Sequence, residues 1–415
     1  MRSVHPLAVT VAAVVALLGG CGHPGSSGSR TDPASTTVAL VGDARRGHAL
    51  IEQFECVRCH TVVNVPELPK DKQCAGCHAD INAGRMTATA EQKTRWQAHV
   101  AELGDVPSLV ATGGRYRRAW IQGFLLHPHD LRPALQPTMP RLRLTEQQAV
   151  DIATYLSPAD DGQPDDVTAT LRGADAARGR ELLDMKGCGL CHRMSGVAPL
   201  QGALLPTGVT VSDMPRAVRL APDLRYTRDR WRAPLLVRWL LHPSQIKPDT
   251  PMPEMGLSEN DARSIAAYLL TAPLGPAEVK AVPARLPVLE RKVGYDEVAT
   301  RVLRKTCWHC HGEPDFERGD GGPGNSGGFG FEGRGLNLSD YASTFAGFLD
   351  DTGKRTSVFS PGRDGTPRLV AAMLARQHEE AGEEPEIRGM PLGLPALGPE
   401  EVQLVETWIA QGRPR

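Results

Sequence analysis

The 415-residue sequence predicts an all-α protein built from tandem helical domains, and three observations lead there. Cys-x-x-Cys-His occurs four times, at Cys56–His60, Cys74–His78, Cys188–His192 and Cys307–His311. The chain also repeats itself: segment 107–128 matches 222–243 without a gap, and 138–156 matches 251–269. Finally, the stretches entering and leaving the motifs space their apolar residues as one face of a helix.

The first element is an export signal. Arg2 gives a short basic region, Pro6 to Leu18 an apolar run, and Leu18-Gly19-Gly20-Cys21 closes it. That run is too short to span a bilayer. A pair of small residues before a cysteine resembles the lipobox of bacterial lipoproteins, which implies a signal over 1–21 and lipidation of Cys21. The expected location is the bacterial cell envelope, lipid-anchored on the periplasmic side. Residues 22–42 read as a flexible Gly/Ser/Thr/Pro-rich tether. A net charge of −1 gives no case for nucleic acid. Aromatic content of 5% leaves modest cores, which a bulky apolar cofactor would supplement.

Cysteine usage is the sharper clue. Of nine cysteines, Cys21 ends the signal and the other eight fill the four motifs. None remains for a conventional disulfide framework. Cys-x-x-Cys-His is the attachment sequence for c-type haem: two thiols three apart bind the porphyrin vinyl groups, and the next histidine becomes the proximal iron ligand. The expectation is four covalently attached haems, on Cys56 and Cys59, Cys74 and Cys77, Cys188 and Cys191, and Cys307 and Cys310, with His60, His78, His192 and His311 on iron. A redox Cys-x-x-Cys or a zinc site would not need the histidine. The strongest rival is a four-thiolate zinc site at the opening pair, where thirteen residues separate His60 from Cys74.

Each repeat begins with a short amphipathic helix. Gly47 stands nine residues before Cys56, and Gly179 nine before Cys188. Each then reaches Met-Pro, at Met139 and Met252, ahead of a helix capped by Thr145 or Ser258. Ala149, Ile152, Tyr155 and Leu156 mark one face of the first such helix; Ala262, Ile265, Tyr268 and Leu269 mark its twin.

This order resembles the class I cytochrome c module, over about 110 residues in the first repeat and about 100 in the second. The resemblance implies that terminal helices cross at Gly47 against Tyr155 and at Gly179 against Tyr268. It also implies that Met139 and Met252 are sixth iron ligands. Met255 competes with Met252 but lacks the repeat correspondence and the following proline.

A third unit follows a Pro-rich link over 272–288. Tyr295 to Lys305 reads as a helix entering its motif, and Met390-Pro391 precedes a helix starting near Pro399 with Val402, Val405, Trp408 and Ile409 on one face. With the Gly-rich loop 318–335, this resembles the cytochrome c modules of planctomycete-type surface proteins, implying Met390 as ligand. The loop lacks the Gly-Lys-Ser/Thr of a phosphate cradle. Val298 stands where the other units have Gly47 and Gly179, so this crossing is expected to differ.

The implied fold class is all-α with three tandem cytochrome c-like domains, the first carrying an extra haem-binding insertion: a dihaem domain over 43–160, a second domain over 172–273 and a C-terminal one over 290–415. The first is longer than the second by seventeen residues between the haem histidine and the shared Pro-x-Leu, and the second motif falls in that length. Its haem should nearly touch its neighbour and needs its own sixth ligand. His99 is the first choice, Met86 the next, an open iron the third.

Histidines outside the motifs have blander readings. His127 and His242 share a repeat position and suit local hydrogen bonding, while His378 suits an exposed acidic stretch. Arg115, Arg117, Arg118, Arg228, Arg230 and Arg232 suit haem propionates or a solvated face equally well. The functional expectation is an exported, lipid-anchored tetrahaem electron carrier working with redox protein partners, without a catalytic residue of its own. The alternatives are a peroxidase-like oxidoreductase using the haem of His78, and a cytochrome subunit of a larger respiratory complex.

Overall fold

The computed structural model describes residues 40–415 except 101–104, 111, 130, 136–138, 160–164, 203–214, 316–321 and 326. The signal, Cys21 and nearly all of the tether lie outside the described residues, as does the side chain of His99. The protein is mostly helical; among the described residues the only sheet pairs Phe348–Leu349 with Arg355–Thr356. No described helix is long and apolar enough to cross a membrane.

Three hydrophobic clusters follow one another along the chain. The first gathers Ile51, Phe54, Val57, Leu142, Leu144 and Ile152. The second includes Leu182, Leu183, Trp231, Leu236, Ile265 and Leu269. The third includes Val298, Val302, Leu303, Val402, Val405 and Trp408. In each, the apolar face expected of the last helix turns inward.

The helix Ala44–Gln53 crosses Glu146–Leu156, and Ala176–Met185 crosses Glu259–Thr271. A methyl group on Gly47 would lie 2.1 Å from the Asp151 carbonyl and 2.9 Å from the Tyr155 Cβ. On Gly179 it would lie 1.9 Å from the Ser264 carbonyl. Both crossings are therefore closed by backbone contact that only glycine permits. The expected caps form too: Thr145 accepts from the Gln148 N–H in a reciprocal capping box, and Ser258 accepts from the Asp261 N–H.

The third unit departs as Val298 foretold. Tyr295–Val298 is one α-turn that runs into a π-helix, Ala299–Cys307, in place of the continuous α-helix expected over 295–305. Val298 is fully buried, and Tyr295 packs near Trp408 with ring centres 5.8 Å apart. Side chains, not touching backbones, fill this crossing.

The first two units meet about an approximate two-fold axis. Tyr116 forms an antiparallel bridge with Trp231, its own counterpart in the repeat. The Arg117 N–H donates to the Arg230 carbonyl at 2.8 Å, and Arg117 Nε donates to the Trp231 carbonyl at 2.8 Å. Arg117 and its counterpart Arg232 both reach the buried carboxylate of Asp165, at 3.3 Å and 3.1 Å.

The third unit also docks on the first. Arg58 donates to the Gly327 carbonyl at 3.2 Å and lies over the Phe329 ring. Arg141 donates to the Glu379 carbonyl at 2.6 Å, and Arg143 to those of Pro385 and Glu386, both at 3.0 Å. Gly328, at φ 116°, sits where a Cβ would strike the Arg58 guanidinium at 2.5 Å. The Gly-rich loop thus serves as a docking surface for the first unit.

Candidate functional site

Cys56 and Cys188 each open a short 3₁₀ turn, entered through a left-handed residue, Glu55 or Gly187. The turn ends by sending the next histidine inward: His60 N–H donates to the Cys56 carbonyl, and His192 N–H to that of Cys188, both at 2.9 Å. His60 Nδ1 then lies 2.8 Å from the Pro107 carbonyl, and His192 Nδ1 lies 2.9 Å from that of Pro222. A carbonyl can only accept, so Nδ1 carries the proton and Nε2 keeps its lone pair for a metal. Burial lowers the pKa of both rings, which favours the neutral form this requires. Pro107 and Pro222 hold the same place in the repeat.

One cavity of about 580 Å³ connects these two histidines across the pseudo-two-fold. Met139 and Met252 line it, each in its own half. Met255 lines it too, but Met252 packs against the second hydrophobic cluster, and the repeat counterpart of Met255 is the core residue Leu142.

Five cationic side chains line the same space: Arg115, Arg132 and Arg230, with Lys186 and Lys247. Arg115 and Arg230 are buried, sandwiching Tyr116 at 4.9 Å and 5.0 Å from its ring centre. The expectation of a solvated arginine face therefore fails for these two. The other arginines are used structurally: Arg118 binds the Ser157 carbonyl, Arg228 the Ala272 carbonyl, and Arg117 and Arg232 share Asp165. Arg230 Nε is buried without a hydrogen-bond partner. Burial pulls down the Arg230 and Arg132 pKa values, because desolvation disfavours the charged guanidinium. Apolar walls, neutral imidazoles, thioethers and buried cations are together a lining that could hold a haem with its two propionates.

The other two motifs lie elsewhere. Cys74 opens the helix Cys74–Asn82, which packs on Ala90–Val100. Its thiol lies near enough to that of Cys59 for the two to perturb each other, which pushes the Cys59 thiol up and draws Cys74 down to about 7. One cysteine of the first motif and one of the second are therefore neighbours. None of the eight described cysteines is in a disulfide, and burial raises the thiols of Cys56 and Cys188 to about 11 and Cys307 to about 12. Among the described residues no three His, Cys, Asp or Glu side chains gather as a metal cage, the four cysteines of the opening pair included.

In the third unit, burial lowers the pKa of His311, whose carbonyl accepts the Leu338 N–H at 2.7 Å. Met390 is half-buried and its N–H donates to the Ala372 carbonyl at 2.8 Å. The turn before it is held by a buried pair: Glu379 accepts the Gly389 N–H at 2.9 Å, and Arg376 donates to the Leu394 carbonyl at 3.0 Å.

Of the sixth-ligand choices for the second motif, Met86 is buried, while the His99 side chain lies outside the described residues. His127 is not local in its bonding: it pairs with Glu384 of the third unit at 3.2 Å. His242 pairs with Glu254 at 3.6 Å and His378 with Glu383 at 2.8 Å. Sequence reasoning missed Asp165 and the burial of Arg115 and Arg230; the exact repetition of the Pro-x-Leu and Arg-aromatic-Arg segments was the signal that could have found them. Compared with protein-family models, curated proteins and solved structures, the chain matches none.

Proposed function

We propose that this chain is an exported, lipid-anchored tetrahaem c-type cytochrome made of three cytochrome c-like domains, the first carrying two haems. The observation that carries the reading is the matched pair His60–Pro107 and His192–Pro222, both histidines lining one cavity that Met139 and Met252 line as well. A haem in each site supplies one-electron iron redox chemistry. The chain's own residues set its conditions. Pro107 and Pro222 hold the imidazoles in the tautomer that leaves Nε2 available. Met139, Met252 and Met390 offer thioethers, which favour the reduced state and leave no position for a substrate.

Arg115, Arg132 and Arg230 offer charge-assisted hydrogen bonds to carboxylates inside an apolar wall. Tyr116 lies between two of them; burial alone would raise its pKa, but the surrounding cations Arg230, Arg115, Arg132 and Lys247 together lower it. The hydroxyl is thus a good donor to the same anions. Two neighbouring sites in one cavity, with the second motif beside the first where Cys74 neighbours Cys59, suit relay of electrons through the chain to redox protein partners.

The test is a haem count on denatured, purified protein, followed by an optical redox titration. Four haems that stay with the unfolded chain, three of them with methionine–histidine spectra, are expected. Bound zinc with fewer than four haems would overturn the reading.

A further inference from the structure

Building on the tetrahaem reading, we infer that His309 is the sixth ligand of the iron bound by His78, contributed by the third unit to the second haem of the first. The ring centres of His78 and His309 stand 6.2 Å apart, their planes inclined by 40°. A metal–imidazole bond is about 2 Å and the ring centre lies roughly 1 Å beyond the nitrogen, so two imidazoles on opposite faces of one ion stand roughly 6 Å apart. Imidazoles joined directly by a hydrogen bond of about 2.9 Å come closer, to roughly 5 Å between centres. The observed spacing matches the first arrangement. The inclination is no obstacle, because each ring can turn about its own metal–nitrogen bond.

His309 has no task in its own motif, where Cys307, Cys310 and His311 make the attachment. Its side chain instead faces His78 of the first unit, and its backbone is pinned within its own unit: the His309 carbonyl accepts the Gly324 N–H at 3.1 Å. Gly322 presses on the ring so closely that a Cβ would lie 2.3 Å from it, which leaves the imidazole little freedom. The partner surface is fixed as well, since Arg58, Arg141 and Arg143 all bind carbonyls of the third unit. Cys74 is near enough to Cys310 to act on its thiol electrostatically, so the two motifs face each other. A histidine in the second variable position of a Cys-x-x-Cys-His unit thereby links two haems of different units.

The test uses full-length holoprotein carrying His309→Ala or His309→Gly, with haem counted after denaturation and spin state read by electron spin resonance and optical spectra. Wild type should hold four haems, one of them low-spin with two histidines. In either variant the count should stay at four while that signal is lost and one high-spin, carbon monoxide-binding iron appears; added imidazole should restore the low-spin signal in His309→Gly. An unchanged spectrum in both variants, or loss of the same signal in His99→Ala or Met86→Ala instead, overturns the assignment. A wild-type count below four at the second motif overturns the tetrahaem reading itself, which a ligand failure with four haems does not.

Discussion

The two glycine crossings look alike in backbone but are locked by different chemistry. In the first, Asp151 is buried and accepts from Arg46 Nε at 2.7 Å, Arg46 Nη2 at 2.8 Å, the Asp43 N–H at 2.8 Å and Gln147 at 3.0 Å. In the second, the same position is Ser264, whose hydroxyl accepts only a 3.2 Å bond from the Asp175 N–H among the contacts seen there. Arg178, the counterpart of Arg46, turns outward to Glu181. One close helix contact can thus be sealed by an ionic network or by a single hydroxyl, because the glycine does the essential work in both. The third crossing shows the other solution, with Val298 and aromatic side chains in place of backbone contact.

The largest break in this comparison should come from the glycines. Gly179→Val and Gly47→Val should each cost about 4 kcal/mol or more, because backbone must move to admit a side chain. Val298→Ala should cost less, about 2 kcal/mol, since it only leaves a cavity. Denaturant midpoints of the three variants check the order; equal losses at all three would erase the distinction.

Next come the methionines. On the tetrahaem proposal, Met139→Ala and Met252→Ala should each lower one haem potential by on the order of 100 mV, whereas Met255→Ala should shift none by a comparable amount. Spectroelectrochemical titration reads each couple. A shift from Met255→Ala alone would move the alignment of the repeats by three residues.

The carboxylate makes the twins differ in acid. Hydrogen bonding from Arg46 lowers the Asp151 pKa in the folded state, so its contribution is present above the unfolded value of ~3.9 and lost as pH falls through the lower folded value. Asp151→Asn should therefore remove one acid-induced step assigned to the first unit and leave the second unit's acid midpoint where it was. Circular dichroism from pH 5 downward, with haem bands to distinguish the units, would show it.

The smallest effect separates Arg143 from its repeat counterpart Gly256. Both occupy the left-handed region, at φ 54° and φ 58°. Arginine there costs roughly 1 kcal/mol, which its bonds to Pro385 and Glu386 roughly offset. Arg143→Gly should leave overall stability within about 0.5 kcal/mol while increasing proteolysis at the junction with the third unit.

Much of this was legible from residues alone. Motif spacing, the repeat, the caps at Thr145 and Ser258, and the inward faces of the last helices depend on local patterns, and the structure has them. The signal at Gly47 and Gly179 was readable because glycine in a helix needs a reason. What stayed hidden depends on which surfaces meet. Nothing in the Gly-rich run marks it as a seat for Arg58, and nothing near His309 marks the ring opposite it as His78. The π-wound turn before Cys307 was hidden too, because the apolar spacing there fits either winding.

The pairing of Tyr116 with Trp231 carries one more consequence. A patch that meets its own counterpart is the geometry of a symmetric homodimer, here drawn from a single polypeptide. The connection between the halves supplies the local concentration that two separate chains would have to reach by mass action. Such an interface can therefore be small and can drift from strict symmetry, as tyrosine facing tryptophan already does. Asp165 marks the drift most clearly: the connection contributes one carboxylate, and that single charge answers an arginine from each half. The linker is thus both the tether and a source of asymmetry in the contact.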